Sequence, residues 1–140
     1  MTRRRVYVAH PQISYGTARE RDCLAALRAV LPEAELYDPA GRYRTDAGWL
    51  RAWPRVLPTI SGLVVFGTRG GVVGVGCLRE IDDTHGAGLP VAVLDHRCHA
   101  RTYAGLALPA RAATSRRAAV LVPGGPVDLR ELFGIDEEAA

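Results

Sequence analysis

One stretch of the sequence decides the fold: GLVVFGTRGGVVGVGCLREIDDTHGAGLPVAVL, which runs from residue 62 to residue 94. Its first five residues form an apolar run that predicts a buried strand, and the glycine-rich segment 67–76 predicts a loop. The pattern then becomes helical over residues 77–87, ends at Gly88 and returns to an apolar strand at residues 90–94. A strand, a helix and a second strand in this order predict a βαβ unit with parallel strands.

The rest of the chain continues this alternation. Further strands are predicted at residues 5–9, 34–37 and 118–122, and further helices at residues 17–31, 49–60 and 127–133. Pro54 and Pro58 divide the second of these helices, which we expect to be one bent helix or two short ones. Continuous apolar strands are typical of a parallel sheet that is covered on both faces. We therefore predict one α/β domain over residues 1–140, a flavodoxin-like or Rossmann-like doubly wound parallel sheet of about five strands.

The composition fits a globular domain. The chain has 140 residues, of which 48% are hydrophobic and 24% charged. No apolar run approaches the roughly 20 residues of a membrane helix. The basic start at residues 1–5 resembles the beginning of a signal peptide, but the apolar run that follows ends at His10 and is too short for one. We expect a cytoplasmic protein that has no membrane partner.

Charge, cysteine and histidine content narrow the choice of partners. The net charge is +3, and every basic residue is an arginine. The arginines are scattered and form no stripe with aromatic residues, so we expect no nucleic-acid partner and favour small anionic molecules. The three cysteines, Cys23, Cys77 and Cys98, are too widely spaced for a metal pair, and we expect reduced thiols. We expect no metal at His96 and His99, which lack further ligands at suitable spacing.

Parallel sheets bind ligands beyond the carboxyl ends of their strands. Three polar or glycine-rich loops leave strand ends here, at residues 10–17, 38–48 and 67–76. In the third loop, Gly74 and Gly76 let the backbone come close to a ligand. Glu80 is expected in the first turn of the following helix, where a carboxylate stays ionised. It either complements the helix dipole or takes part in catalysis, and the residues alone leave both possibilities open.

The order of these motifs resembles that of the nucleoside 2-deoxyribosyltransferase superfamily. The resemblance rests on GCLREI at residues 76–81, GLPV at 88–91, VYVAHP at 6–11 and the apolar run before the glycine-rich loop, and it covers roughly residues 5–95. It implies that Glu80 is a nucleophile that attacks the anomeric carbon of a nucleoside and expels the base. The glycosyl group then passes to a second base, in a transferase, or to water, in an N-glycosidase. The resemblance also implies a homodimer or higher homo-oligomer, and we expect no cofactor.

The chain also departs from the pattern of this superfamily. Val56 occupies a position where the superfamily usually carries an aspartate that holds the sugar hydroxyls, and residues 67–76 contain no carboxylate. Cys77 replaces a common threonine. Asp46 or Asp38 could substitute for the missing aspartate.

The first loop supplies further candidates for substrate binding. Tyr15, Gly16 and Thr17, beside Arg19, suit a 5′-phosphate, but the same residues also read as a capping box that starts a helix. His10 is either the acid for the leaving base or a structural hydrogen-bonding residue. Trp49 and Trp53 could sandwich a base or belong to the core. Two alternative hypotheses remain at this point: a non-catalytic module that binds a nucleotide or sugar nucleotide, and an interaction protein with an unoccupied cleft.

Overall fold

The computed structural model describes residues 3–43, 45–108 and 118–135. Within these ranges the chain forms seven strands: β1 (Arg5–Ala9), β2 (Glu35–Tyr37), β3 (Gly62–Val65), β4 (Val72–Val73), β5 (Val91–Leu94), β6 (Ala100–Ala107) and β7 (Ala119–Pro126). The same ranges contain four α-helices: α1 (Ala18–Val30), α2 (Asp46–Val56), α3 (Val75–Gly86) and α4 (Leu129–Leu132). The predicted α/β class is confirmed, but the sheet has seven strands rather than about five.

All seven strands belong to one sheet, in the order β2-β1-β3-β5-β6-β7-β4. The strands β2, β1, β3 and β5 are parallel to one another. On the other side of the sheet, β6 runs antiparallel to β5 and β7, and β4 runs antiparallel to β7. The prediction of a wholly parallel sheet is therefore wrong for this antiparallel side, and it holds for the four strands predicted up to residue 94.

The sequence pattern does not reveal the antiparallel side because its strands are half exposed. Residues of β6 are half-buried or exposed along its whole length, so β6 lacks the continuous apolar run of the parallel strands. The two residues of β4 lie inside segment 67–76, which the glycines predict to be loop throughout. Strand β7 continues four residues beyond its predicted end at residue 122, to Pro126.

Helices cover both faces of the sheet, and β1 contributes side chains to the core on each face. Side chains alternate between the two faces of a strand. Val6 and Val8 therefore pack in a core with α1 and α4. Tyr7 and Ala9 point to the opposite face and pack in a second core with α2 and α3.

The helix boundaries differ from the predicted ones by a few residues. Helix α3 starts at Val75, two residues before the predicted start at residue 77. Helix α2 continues through Pro54, and the interruption comes at a 3-10 turn, Leu57–Thr59, that contains Pro58. The end of α3 is followed by Gly88, whose φ of 75° favours glycine.

The strand order reverses between β1 and β3, which is where open α/β sheets usually bind their ligands. Strand β2 lies on one side of β1 and β3 on the other, with Ala9 paired to Val65 at their carboxyl ends. Loops that leave two such strands separate and open a ligand crevice between them. The loop after β1 carries His10, and the loop after β3 leads to Glu80 on α3. None of the helices in the described residues is long and apolar enough to cross a membrane.

Candidate active site

Glu80 lies in the second turn of α3 and points into the protein. The helix has Gly74 as its N-cap and no acidic residue in its first turn, so the predicted first-turn position is wrong. Only 3% of Glu80 is exposed, and the buried side chains of α3 include Cys77 and Ile81. A buried carboxylate beyond the first turn cannot be explained as a complement to the helix dipole, because that effect fades within one turn.

Two side chains from other elements donate hydrogen bonds to Glu80. The hydroxyl of Tyr7, on β1, donates to Oε2 of Glu80. The indole Nε1 of Trp49, on α2, donates to the same oxygen at 2.9 Å. Among the described residues no hydrogen bond reaches Oε1, so this is the carboxylate oxygen with a free lone pair.

Burial controls the ionisation of Glu80. Removal from water raises the pKa of Glu80 to about 7, and the hydrogen bonds from Tyr7 and Trp49 oppose this rise. The expectation that Glu80 simply stays ionised is therefore wrong, because near neutral pH the side chain is divided between its protonated and ionised forms. A carboxyl group with a pKa near 7 in a buried position is typical of catalytic acids, bases and nucleophiles.

Aromatic rings pack against Tyr7 and Trp49, the two side chains that donate to Glu80. Tyr7 stacks on Tyr37 at 5.5 Å and meets Trp53 edge-on at 4.9 Å between ring centroids. Trp53 is a core residue, with 2% exposure and its Nε1 donating to Asp83 at 2.8 Å. Trp49 is half-buried and contacts the carboxylate, so the two tryptophans have different roles. Tyr7 is not predicted as a site residue, because its only local signal in the sequence is a phenol within an apolar strand.

Tyr15 contacts His10. Its ring meets the imidazole of His10 edge-on, with centroids 4.8 Å apart. Burial, and after it the charge of Glu80, raises the pKa of the Tyr15 hydroxyl. His10 and Tyr15 thus lie in contact after β1, and the charge of Glu80, on α3, acts on Tyr15 through space.

Both ring nitrogens of His10 already have partners. Nδ1 lies 2.6 Å from the Ser14 hydroxyl and Nε2 lies 2.8 Å from Oδ1 of Asp38. The ring also stacks on Phe66 at 4.7 Å between centroids. To serve as an acid, His10 would have to release Asp38, so this geometry favours the structural role over the catalytic one.

His10, Glu20 and Asp38 are the one group of potential metal ligands found among the described residues, with ligand atoms within 4.8 Å of one another. Oε2 of Glu20 is buried without a hydrogen bond and lies 3.8 Å from Nδ1 of His10. Burial by itself would raise the pKa of Asp38. The hydrogen bonds from His10 and from the Ala40 amide outweigh this effect, so the pKa of Asp38 lies below its usual value. Because the imidazole holds partners on both nitrogens, we interpret this group as a hydrogen-bonded charge network.

The groups of the first loop are largely used within the protein. The Thr17 hydroxyl caps α1 by accepting from the Glu20 amide at 3.3 Å, and Glu20 accepts from the Gly16 amide at 3.3 Å. This is a capping arrangement in which the glutamate reaches Gly16 rather than Thr17. Arg19 donates to the carbonyls of Gly67 at 3.1 Å and Asp95 at 3.0 Å. These contacts favour the interpretation of the loop as a helix start over that of a phosphate cradle.

The remaining candidate residues for substrate binding lie at the ends of α2 and at the start of α3. Asp46 is exposed at the start of α2 and accepts from Nε2 of Gln12 at 3.0 Å, which connects α2 to the first loop. A side chain at Gly74 or Gly76 would meet nothing within 4 Å, so protein packing does not require glycine there. Val56 lies in the second core, and its side chain has no polar group that could bind a sugar hydroxyl.

Two cavities lie away from Glu80. One of about 530 Å³ lies beside α2 and is lined by Arg5, Arg51 and Arg55 with Tyr37. A second of about 170 Å³ lies against the turn at residues 68–71 and the end of β5. Glu80, His10 and Tyr15 line neither of these two cavities.

No protein-family model, curated protein or solved structure matches this chain.

Proposed function

We propose that this protein cleaves or transfers the N-glycosidic bond of a nucleoside or nucleoside monophosphate, with Glu80 as the nucleophile. One observation carries the proposal. The buried carboxylate of Glu80 receives two hydrogen bonds on Oε2 and none from the described residues on Oε1. The motifs of residues 76–81 and 88–91, which resemble those of the nucleoside 2-deoxyribosyltransferase superfamily, support the same conclusion.

The proposed reaction has two steps. Oε1 of Glu80 attacks the anomeric carbon, the carbon–nitrogen bond breaks, and the base leaves with the bonding electrons and takes up a proton. Tyr7 and Trp49 hold Oε2 in place while the other oxygen forms the glycosyl ester. Water or a second base then attacks the anomeric carbon and releases the carboxylate. Two displacements at one carbon retain its configuration.

The surroundings of Glu80 support a flat aromatic substrate. Trp49 donates a hydrogen bond to the carboxylate and Tyr15 contacts His10, and aromatic side chains of this kind can stack on a base. Gly74 leaves open space at the start of α3, where free amides favour an anionic group. We further propose that the parallel part of the sheet is a doubly wound, flavodoxin-like unit and that the protein acts as a homo-oligomer.

Base release tests this proposal directly. Purified protein is incubated with a panel of nucleosides and nucleoside monophosphates, and the free base is measured by chromatography. We expect the wild-type protein to release base from at least one member and Glu80→Gln to release none. Asp82→Asn, which removes an exposed carboxylate from the same helix, is the matched control and should retain activity. No release by the wild-type protein, or equal release by Glu80→Gln, contradicts the proposal.

A second candidate function is a non-catalytic module that binds a nucleotide or sugar nucleotide. Val56 favours it, because this buried residue stands where the superfamily usually carries its sugar-binding aspartate. Calorimetry with the same panel separates the two functions. Binding that is equally tight in the wild-type protein and in Glu80→Gln, without base release in either, selects the binding module.

A further inference from the structure

Two cysteines that are 75 residues apart in the chain lie in contact. The Sγ atoms of Cys23 and Cys98 are 3.3 Å apart. Cys23 is fully buried in α1, and Cys98 is half-buried in the turn between β5 and β6. Both belong to the core on one face of the sheet, whereas Cys77 belongs to the core on the opposite face. The sheet therefore separates Cys77 from this pair.

The turn holds Cys98 in an unusual backbone conformation. Cys98 has a φ of 61°, in the left-handed region that non-glycine residues seldom adopt. The carboxylate of Asp95 accepts from the amides of Arg97 and His99, both at 2.9 Å, and the Cys98 amide donates to the Asp95 carbonyl at 3.0 Å. A strained residue that its surroundings hold in place is a reason to look for a function at that residue.

The two sulfurs have different environments. The guanidinium of Arg19 lies 3.7 Å from Sγ of Cys98 and donates a hydrogen bond to it. Burial and the hydrogen bond to Cys98 raise the pKa of Cys23 to about 12. Because Cys98 is half-buried and Cys23 is fully buried, we expect an oxidant to react with Cys98 first and Cys23 to react second.

We propose that Cys23 and Cys98 are an oxidation site that forms a reversible disulfide with a small-molecule disulfide as the oxidant. The Cys98 thiolate attacks one sulfur of the oxidant, whose sulfur–sulfur bond breaks and releases one thiol after proton uptake. Cys23 then loses its proton to solvent, attacks Sγ of Cys98 and releases the second thiol. The two cysteines lose two electrons in total, and the oxidant is reduced to two thiols.

Closing the bond requires little movement. A disulfide has a sulfur–sulfur distance of about 2.05 Å, so the two Sγ atoms must approach by roughly 1.3 Å. The bond would connect α1 to the turn between β5 and β6 and close a long loop, which constrains the unfolded chain. Oxidation should therefore raise the melting temperature, by roughly 10 °C for a chain of this length.

The experiment uses the full-length protein, reduced and then incubated with oxidised glutathione. Intact mass and peptide mapping should show a loss of about 2 Da and a cross-linked peptide that joins Cys23 to Cys98. The free thiols should fall from three to one. Cys77→Ser is the matched control and should form the same cross-link, whereas Cys98→Ser should not.

Other outcomes would overturn the proposal. A glutathione adduct on Cys98 that never resolves into the cross-link shows that Cys23 cannot reach it. Oxidation of Cys77 at the same rate as Cys98 shows that the pair has no special reactivity. Peptide mapping of the wild-type protein decides between these outcomes even if a cysteine variant fails to fold, and the melting temperature of oxidised wild-type protein gives an independent measurement.

Discussion

Replacing Glu80 by glutamine should make the protein more stable at alkaline pH and abolish the proposed activity. Burial raises the pKa of Glu80 from 4.5 to about 7. A raised pKa means that folding favours the protonated form, so this contribution to stability is complete below pH 4.5 and is lost as the pH rises through 7. Each pH unit between 4.5 and 7 lowers the free energy of unfolding by about 1.4 kcal/mol, so the total decrease above pH 8 is about 3 kcal/mol.

Glutamine has nearly the shape of a protonated glutamate and carries no charge. Its carbonyl oxygen can accept from both Tyr7 and Trp49, as Oε2 of Glu80 does. Glu80→Gln and the wild-type protein should therefore have nearly equal free energies of unfolding at pH 4. At pH 8.5 the variant should be more stable by about 3 kcal/mol. Urea denaturation at both pH values measures this difference, and Asp82→Asn should not reproduce it.

The same ionisation should control catalysis. Only the ionised carboxylate can attack an anomeric carbon, so kcat/KM for base release should rise with pH to a plateau, with a midpoint near 7. The wild-type protein should thus gain activity over the pH range in which it loses stability. If the stability difference between Glu80→Gln and the wild-type protein is the same at pH 4 and pH 8.5, the pKa of Glu80 is not raised and the reasoning is refuted.

Four further predictions test the residues around Glu80 and the glycines of segment 67–76. Tyr7→Phe removes a hydrogen bond that lowers the pKa of Glu80. The midpoint of the pH–activity profile should therefore move above 7 by about one pH unit. An unchanged midpoint would show that the Tyr7 hydroxyl does not act on the carboxylate. His10→Asn should slow base release from guanosine and from 7-methylguanosine in equal proportion, because His10 holds a structural position. The base of 7-methylguanosine leaves without taking up a proton. A loss of activity confined to guanosine would therefore identify His10 as the acid that protonates the leaving base. Gly67→Ala should lower the free energy of unfolding by about 2 kcal/mol or more, because the new Cβ would lie 2.5 Å from the backbone of residue 71. In Gly74→Ala no atom lies within 4 Å of the new Cβ, so the free energy of unfolding, measured by urea denaturation, should change little. The KM for a nucleoside monophosphate, measured by steady-state kinetics, should change several-fold.

The parallel part of the fold could be predicted because its signals are local. Strands β1, β3 and β5 are continuous apolar runs, and proline or glycine residues mark the boundaries of several helices. The antiparallel part carries no such signal, because β6 is half exposed and a strand of that kind is stabilised by its neighbours more than by its own residues.

The sequence by itself determined the alternation of strands and helices and identified Glu80, through its spacing from the glycines around it, as the residue to examine. Only the tertiary structure decided what surrounds that carboxylate. The hydroxyl of Tyr7 and the carboxylate of Glu80 are 73 residues apart in the chain, and Cys23 and Cys98 are 75 residues apart. Contacts of this kind depend on strand order and on which face of the sheet a helix covers. A pKa near 7 for Glu80 likewise comes from burial by several elements together, which no local pattern records.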